Sequence, residues 1–428
     1  MHEYLFCGAR ILVPARAFDA VADLAIKDGV IVEPAELSEQ AQKIDLSGKL
    51  IAPGFFDMHV HLREPGQTHK EDIVSGTKAA AAGGFTGLLA MPNTAPPIAD
   101  VESFQRQQEL LAQKAIIPVL QSVAFTQRRE GKALNDLAAL KDAGVRAFTD
   151  DGGTPQDEEL MRLAMRTAQA VNLPIIDHCE DYRLSRPGVM HEGAVSRRLG
   201  LPGQPRLAEE RIVERNIRLC RETGCRVHLQ HLSSAGSVQL LRQARSEGLP
   251  VSGEVMPHHL LFTDQAVETH GSNAKMAPPL REESDRLALI EALCDGSISV
   301  LATDHAPHSQ AEKAQGMLKA PFGIIGIEQA VALCLTLLYH TGKISLSEFI
   351  RRFSCAPREI LQLPQLKLEI GETAELTILD LDLQHRINLE ESFSKSRNCP
   401  YDGMSCRGRP WAIFSRGKLI KAQSLKNG

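Results

Sequence analysis

Asp57-Met58-His59-Val60-His61-Leu62-Arg63-Glu64-Pro65-Gly66 continues an apolar run, Ile51-Ala52-Pro53-Gly54-Phe55-Phe56, that reads as a strand. Residues two apart on a strand point to one face, so His59 and His61 set two imidazoles side by side and Arg63 continues the row. Paired imidazoles begin a metal site, and a guanidinium beside them can hold a carboxylate through two parallel hydrogen bonds. A His-x-His pair alone is also an ordinary strand feature. The rest of the chain decides between the two readings.

From residue 54 to about 360, short apolar runs alternate with helical patterns. The strand candidates after the opening one are 86–93, 117–123, 145–151, 174–178, 226–231, 250–255 and 299–304. Strands in this alternation predict a (β/α)8 barrel of the TIM type. A doubly wound sheet is the structural alternative, but no Gly-rich phosphate fingerprint follows a first strand. Thr68-His69-Lys70-Glu71 matches a capping box and predicts a helix that starts there and stops at Gly83-Gly84. Outside this region the texture is β-rich. Lys27-Asp28-Gly29 before Val30-Ile31-Val32 signals a hairpin, and Leu376-Thr377-Ile378-Leu379 and Trp411-Ala412-Ile413-Phe414 read as strands. The expected organisation is a small β-sandwich built from residues 1–52 and 361–428 around a barrel of residues 53–360.

Composition agrees with an ordinary globular protein with enough chain for a large core. The chain has 428 residues, 43% apolar and 24% charged, and a net charge of -5, which argues against a general nucleic-acid or membrane-surface binder. Nine cysteines without a CxxC spacing point to reduced thiols rather than a disulfide framework. No basic segment leads into a long apolar core at the N-terminus, and no run reaches the roughly 18 apolar residues of a membrane span. A soluble, cytoplasmic chain is expected.

The predicted strands end in chemistry. His59, His61, Asn93, Asp151, His178, His231, and Asp304 with His308 fall at their C-terminal ends, the face where barrel enzymes keep their active sites. Four histidines and two aspartates brought together would offer nitrogen and oxygen ligands suited to Zn²⁺ or a similar ion. They are too many for one tetrahedral zinc and match a pair of metals sharing a carboxylate.

Asp57–Arg63, Met91-Pro92-Asn93-Thr94, Phe148-Thr149-Asp150-Asp151-Gly152, His178-Cys179-Glu180, His228-Leu229-Gln230-His231, Pro278-Pro279-Leu280-Arg281 and Thr303-Asp304-His305-Ala306-Pro307-His308 together resemble class I bacterial dihydroorotases of the amidohydrolase superfamily. The resemblance covers nearly the whole chain. It implies two Zn²⁺ or similar ions per chain. His59, His61 and Asp304 would bind the first, His178 and His231 the second, and Asp151 would bridge them in place of the carbamylated lysine of many relatives. Asp150 should face away, since strand neighbours alternate sides. Arg63, Asn93 and His308 would hold a substrate carboxylate, and the backbone around Phe322 and Gly323 would touch the ring. Asp304 would be the general base. The implied reaction interconverts N-carbamoyl-L-aspartate and dihydroorotate in pyrimidine biosynthesis.

One position departs from the family. Ala277 stands where Asn is usual, so a substrate contact is missing or comes from another group such as Asn273 or Lys275. His258-His259 are expected to give structural support, and Cys179 to be core rather than nucleophile. The competing enzyme reading is another cyclic amidohydrolase, an allantoinase, hydantoinase or dihydropyrimidinase. A non-catalytic scaffold for aspartate transcarbamoylase is the alternative outside enzymes, and the six ligand residues argue against it. The candidate protein partners are a second copy of the chain and aspartate transcarbamoylase.

Overall fold

The computed structural model describes residues 2–426, a mixed α/β arrangement. In chain order the strands are β1 (Glu3–Val13), β2 (Phe18–Lys27), β3 (Val30–Val32), β4 (Gln42–Asp45), β5 (Leu50–Pro53), β6 (Phe55–Val60), β7 (Phe85–Ala90), β8 (Val119–Gln121) and β9 (Ile175–Asp177). They continue with β10 (Met190–His191), β11 (Gly203–Gln204), β12 (Val227–Leu229), β13 (Val251–Val255), β14 (Val300–Leu301), β15 (Leu376–Arg386), β16 (Ser405–Ser415) and β17 (Lys418–Ile420).

The two chain ends meet in one sheet, ordered β17-β16-β15-β5-β1-β2-β3, with β4 also paired to β1. Asp28 and Gly29 make the predicted hairpin turn, both with positive φ as a tight primed turn requires. Strand alternation then divides the side chains. Ile11, Val13, Ile51, Ile378 and Phe414 pack with Phe6, Leu24 and Ile26 in a core of their own. Their neighbours Leu12, Leu50, Ala52, Leu379 and Ile413 join the core of the larger body. The expected sandwich is therefore, in its hydrogen bonding, one continuous sheet. β5 pairs with β1 on one side and β15 on the other, so N- and C-terminal strands are not split into separate layers.

The joint between this sheet and the rest is tight. A Cβ at Gly54, between β5 and β6, would meet Thr86 Oγ1 at 2.1 Å. Thr377 Oγ1 accepts from Phe55 N at 3.0 Å and donates to Gly84 O at 2.7 Å.

The other strands run parallel, as β6-β7-β8 and β14-β13-β12-β9, with β10 and β11 paired apart from them. Parallel bridges at Val123–Phe148 and Phe148–Ile175 join one group to the other, and a bridge at Val60–His305 joins their far ends. Segment 145–151, predicted as a strand, pairs only around Phe148. Beyond it Asp150 binds Thr126, and the chain turns at Gly152 with φ 72°. Phe56, Met58, Leu89, Met91, Ala147, Ile176 and Val300 pack inside the strands, while Phe55, Leu88, Phe148 and Ile175 belong to the core under the helices. Burial on both faces explains why these strands read as nearly unbroken apolar runs.

The helix predicted from Thr68 is Ile73–Ala82 instead. Asp72 is its N-cap, accepting from Ser75 N at 2.8 Å. Glu71 is fully buried and is satisfied by Ser394 and Lys395 N, with His305 Nε2 at 3.3 Å. It is therefore not free to close a capping box. The nine cysteines are free, and no helix among the described residues is long and apolar enough to cross a membrane.

Candidate metal centre and substrate pocket

His59 lies in β6 with His61 just past its end. His178 follows β9, His231 lies beyond β12 and Asp304 beyond β14, all buried with Asp151 around one point. One ligand atom each from His59, His61 and Asp151 lie within 4.8 Å of one another, as do those of His59, His231 and Asp304, and those of Asp151, His178 and His231. Asp151 belongs to two groups that otherwise share no residue. His59 Nε2 is 3.3 Å from Asp151 Oδ1 and 3.4 Å from Asp304 Oδ1, and His61 Nε2 is 2.8 Å from Asp304 Oδ1. His178 Nδ1 and His231 Nε2 lie 2.8 Å apart, aimed at one another. Buried imidazole and carboxylate donors converging in this way fit divalent cations.

The backbone is strained at three of the predicted site residues. Arg63, His231 and Asp304 have φ of 59°, 33° and 43°, a region costing a residue with a side chain roughly 1–3 kcal/mol. The turn after a strand end re-aims each of these side chains. Burial opposes charge on Asp151, yet the facing His59, His61 and His178 hold its carboxyl well below the usual range. Asp150 points the other way. It accepts from Thr126 N at 3.1 Å and from Thr126 Oγ1, and burial raises it to about 6.

Outer partners fix the histidine rings. His59 Nδ1 donates to Glu254 Oε1 at 2.6 Å, His61 Nδ1 to Asn93 Oδ1 at 2.8 Å, and His178 Nε2 to Glu180 Oε2 at 2.9 Å. Asn93 Nδ2 also donates to Asp151 Oδ2 at 3.2 Å. Arg129 Nη1 donates to the backbone oxygen of Asp151 at 2.8 Å. Sequence reading missed Glu254 and Arg129. Glu254 had a signal, a carboxylate inside the otherwise uncharged strand Val251–Val255. Arg129 had none, because a loop arginine bound to a main-chain oxygen leaves no pattern.

His61, Asn93, Asp151, His178, His231 and Asp304 floor a cavity of about 400 Å³. Arg63 lies in its wall, Nε donating to Pro307 O at 3.1 Å with Nη2 3.3 Å from His308 Nε2. Burial lowers Arg63 to about 10. Burial, with Arg63 and Lys70 alongside, lowers His308 to about 2, so a neutral imidazole sits beside a cation. Phe322, Gly323 and Ala277 complete the wall. Gly323 is required there, since a Cβ would fall 2.6 Å from Ala306 O and 2.7 Å from His308 Cδ2. Neither Asn273 nor Lys275 lines the cavity. Lys275 Nζ donates at 2.6 Å to both Met317 O and Ala320 O, so it does not replace the side chain missing at Ala277. His259 donates to Pro278 O at 3.0 Å, and burial pushes the Cys179 thiol well above its ordinary value, leaving it no nucleophile.

A family profile described as Dihydro-orotase-like matches residues 48–237. The chain is similar to the dihydroorotase of Geobacillus sp. (strain WCH70), 43% identical over 401 residues that cover 93% of this chain and 94% of that protein. It is also similar to the dihydroorotase of Bacillus cytotoxicus, 42% identical over 420 residues and 98% of both chains. In fold it is similar to the L-hydantoinase (dihydropyrimidinase) from Arthrobacter aurescens, with a TM-score of 0.87 at 24% identity, covering 98% of this chain and 96% of that one. The dihydropyrimidinase from Brevibacillus agri NCHU1002 gives 0.85 at 22% identity over 98% and 95%.

Proposed function

Because this chain belongs to the dihydroorotase family, we propose that it interconverts N-carbamoyl-L-aspartate and (S)-dihydroorotate in pyrimidine biosynthesis. The observation that carries the proposal is the sharing of Asp151 between two ligand groups on the floor of a cavity whose wall holds Arg63 and His308. We read the eight parallel segments as a closed (β/α)8 barrel, supported by the Phe148 and Val60–His305 bridges that join the two strand groups at both ends. Residues 53–360 are then the catalytic domain and residues 1–52 with 361–428 the terminal one, a division supported by the core that Phe6, Ile11, Ile26, Ile51, Ile378 and Phe414 form among the terminal strands.

In this reading His59, His61 and Asp304 would hold one Zn²⁺, His178 and His231 a second, and Asp151 would serve both. Such ions supply Lewis-acid activation of a carbonyl and of a water molecule. Arg63 and His308 hold the ring carboxylate, with Asn93 reaching it from beside His61. Asp304 accepts the proton of the attacking water and delivers it to the ring nitrogen as the amide bond breaks. The reverse sequence closes the ring. The Phe322-Gly323 backbone orients the ring over the metal ligands.

The substrate assignment rests on Arg63. Dihydrouracil differs from dihydroorotate by the lack of a carboxylate remote from the scissile amide. A charge-assisted contact to that group contributes about 1.5–3 kcal/mol. Arg63→Ala should therefore cut kcat/KM for dihydroorotate by on the order of 10- to 100-fold with metal content unchanged, and alter turnover of dihydrouracil much less. A variant that kept full preference for dihydroorotate over dihydrouracil and allantoin would remove the basis for this substrate. A cyclic amidohydrolase of the hydantoinase kind would then be the better reading.

A further inference from the structure

Behind the metal ligands, inside the ring of parallel strands, sits a carboxylate that the reaction does not use. Glu254, on β13, is fully buried. Its Oε1 accepts from His59 Nδ1 at 2.6 Å and from the backbone N of His231 at 3.3 Å. Its Oε2 lies 3.2 Å from Nε2 of His228, also fully buried, a close charge contact between two atoms that have no hydrogen-bond partner. His228 is anchored through Nδ1 to Ser252 Oγ at 2.8 Å. A line of polar groups therefore runs from His59 through Glu254 and His228 to Ser252. It ends at a cavity of about 370 Å³ lined by His228, Ser252, Pro174 and Pro250, where the strands begin. That is the end of the strands opposite the substrate pocket.

Burying a carboxylate among apolar strands is costly unless it is paired. Besides accepting from the backbone N of His231, the carboxylate supplies a fixed acceptor for His59 Nδ1–H, which no apolar side chain of similar volume could do. With the proton on Nδ1, the lone pair of Nε2 is directed at Asp151 and Asp304. We propose that Glu254 is the positioning residue that sets the tautomer and ring plane of His59 for the first metal ion, and that His228 in turn holds Glu254. The inference rests on the metal-centre reading above.

The test is Zn²⁺ binding by competition with a chromophoric chelator, on the full chain. Wild type should bind two ions. Glu254→Gln keeps the volume and an oxygen for both His231 N and His59 Nδ1, but replaces the charged acceptor of the Nδ1–H bond by a neutral one and turns its NH2 toward His228 Nε2. It should weaken one ion by on the order of 10- to 100-fold and leave the other near wild type. His228→Ala should show the same one-ion defect, and it opens a hole continuous with the cavity at the strand starts. Added imidazole should enter there and restore its binding, but not that of Glu254→Gln. The inference is overturned if both variants bind two ions as wild type does, if they lose both ions equally as general destabilisation would, or if imidazole leaves His228→Ala unchanged. Should Glu254→Gln fail to fold, the His228→Ala and imidazole arm decides alone. A wild-type chain that binds no ion overturns the metal-centre reading itself, and this inference with it.

Discussion

Asp150 and Asp151 are neighbours in the chain with opposite surroundings. Asp151 faces His59 and the other ligands, and Asp150 faces Thr126. Asp151→Ala should weaken both ions, and by more than the roughly 10–100-fold that loss of an outer partner costs, because one carboxylate serves both groups. Asp150→Ala should keep its ions and instead lose about 1–3 kcal/mol of stability, since it leaves the buried Thr126 N–H and hydroxyl unpaired. Metal content and thermal unfolding of the two variants separate these outcomes, and equal metal loss from both would contradict the facing. The opposite facing of Asp150 and Asp151 agrees with strand alternation, although the chain pairs only around Phe148, whereas Arg63 is turned out of the row of His59 and His61 by its φ of 59°. The occupation of Asn93 was not legible in the sequence. An amide at a strand end reads as a substrate contact, but here it accepts from His61 and donates to Asp151 as well. Spacing cannot separate those roles, because they depend on which side chains arrive from strands distant in sequence.

At the scale of elements, the stretch from Ser309 to Gly323 shows how a wall is held. Its two short helices, Gln310–Lys313 and Gly316–Lys319, lead to the Phe322-Gly323 corner of the pocket. Lys313 is buried, and its ammonium donates to Pro321 O at 3.0 Å and to Gly323 O at 2.9 Å. Burial, reinforced by Lys275, lowers Lys313 to about 7. A lysine with a depressed folded value binds fewer protons folded than unfolded between that value and its ordinary one, so its contribution to stability rises with pH across this window. The difference in unfolding midpoint between wild type and Lys313→Met should be flat below about pH 6 and move in favour of wild type from pH 7 to 9, at up to about 1.4 kcal/mol per unit. A difference independent of pH would contradict the depressed value. The sequence marks this segment only as the chain after His308. The clamp is made to main-chain oxygens, which leave no trace in residue pattern. The same limit moved the helix start from Thr68 to Asp72, because Glu71 answers to Ser394 and His305, far off in sequence.

For the molecule as a whole, the alternation of strands and helices and the β-rich ends were readable, because each rests on local periodicity and turn chemistry. That both ends join in one β module was readable as well, but not that they form a single sheet, because this depends on β5 finding β1 and β15 at once, with residues 50–53 pairing to residues 376–379. That joint also brings Thr377 onto the backbone of Phe55, at the root of the strand that carries His59 and His61. The terminal sheet is thus tied directly to the strand that carries the candidate metal ligands.

On the proposed reading the chain opens and closes the dihydroorotate ring with two divalent ions that His59, His61, Asp151, His178, His231 and Asp304 would hold. The most direct measurement is dihydroorotate hydrolysis by protein stripped of metal with a chelator and titrated back with Zn²⁺, the bound metal being counted at each step. Activity should be absent in the stripped protein, rise with added metal and reach its maximum at two ions per chain. Full activity in metal-free protein, or no dihydroorotate turnover at two ions per chain, would contradict the account.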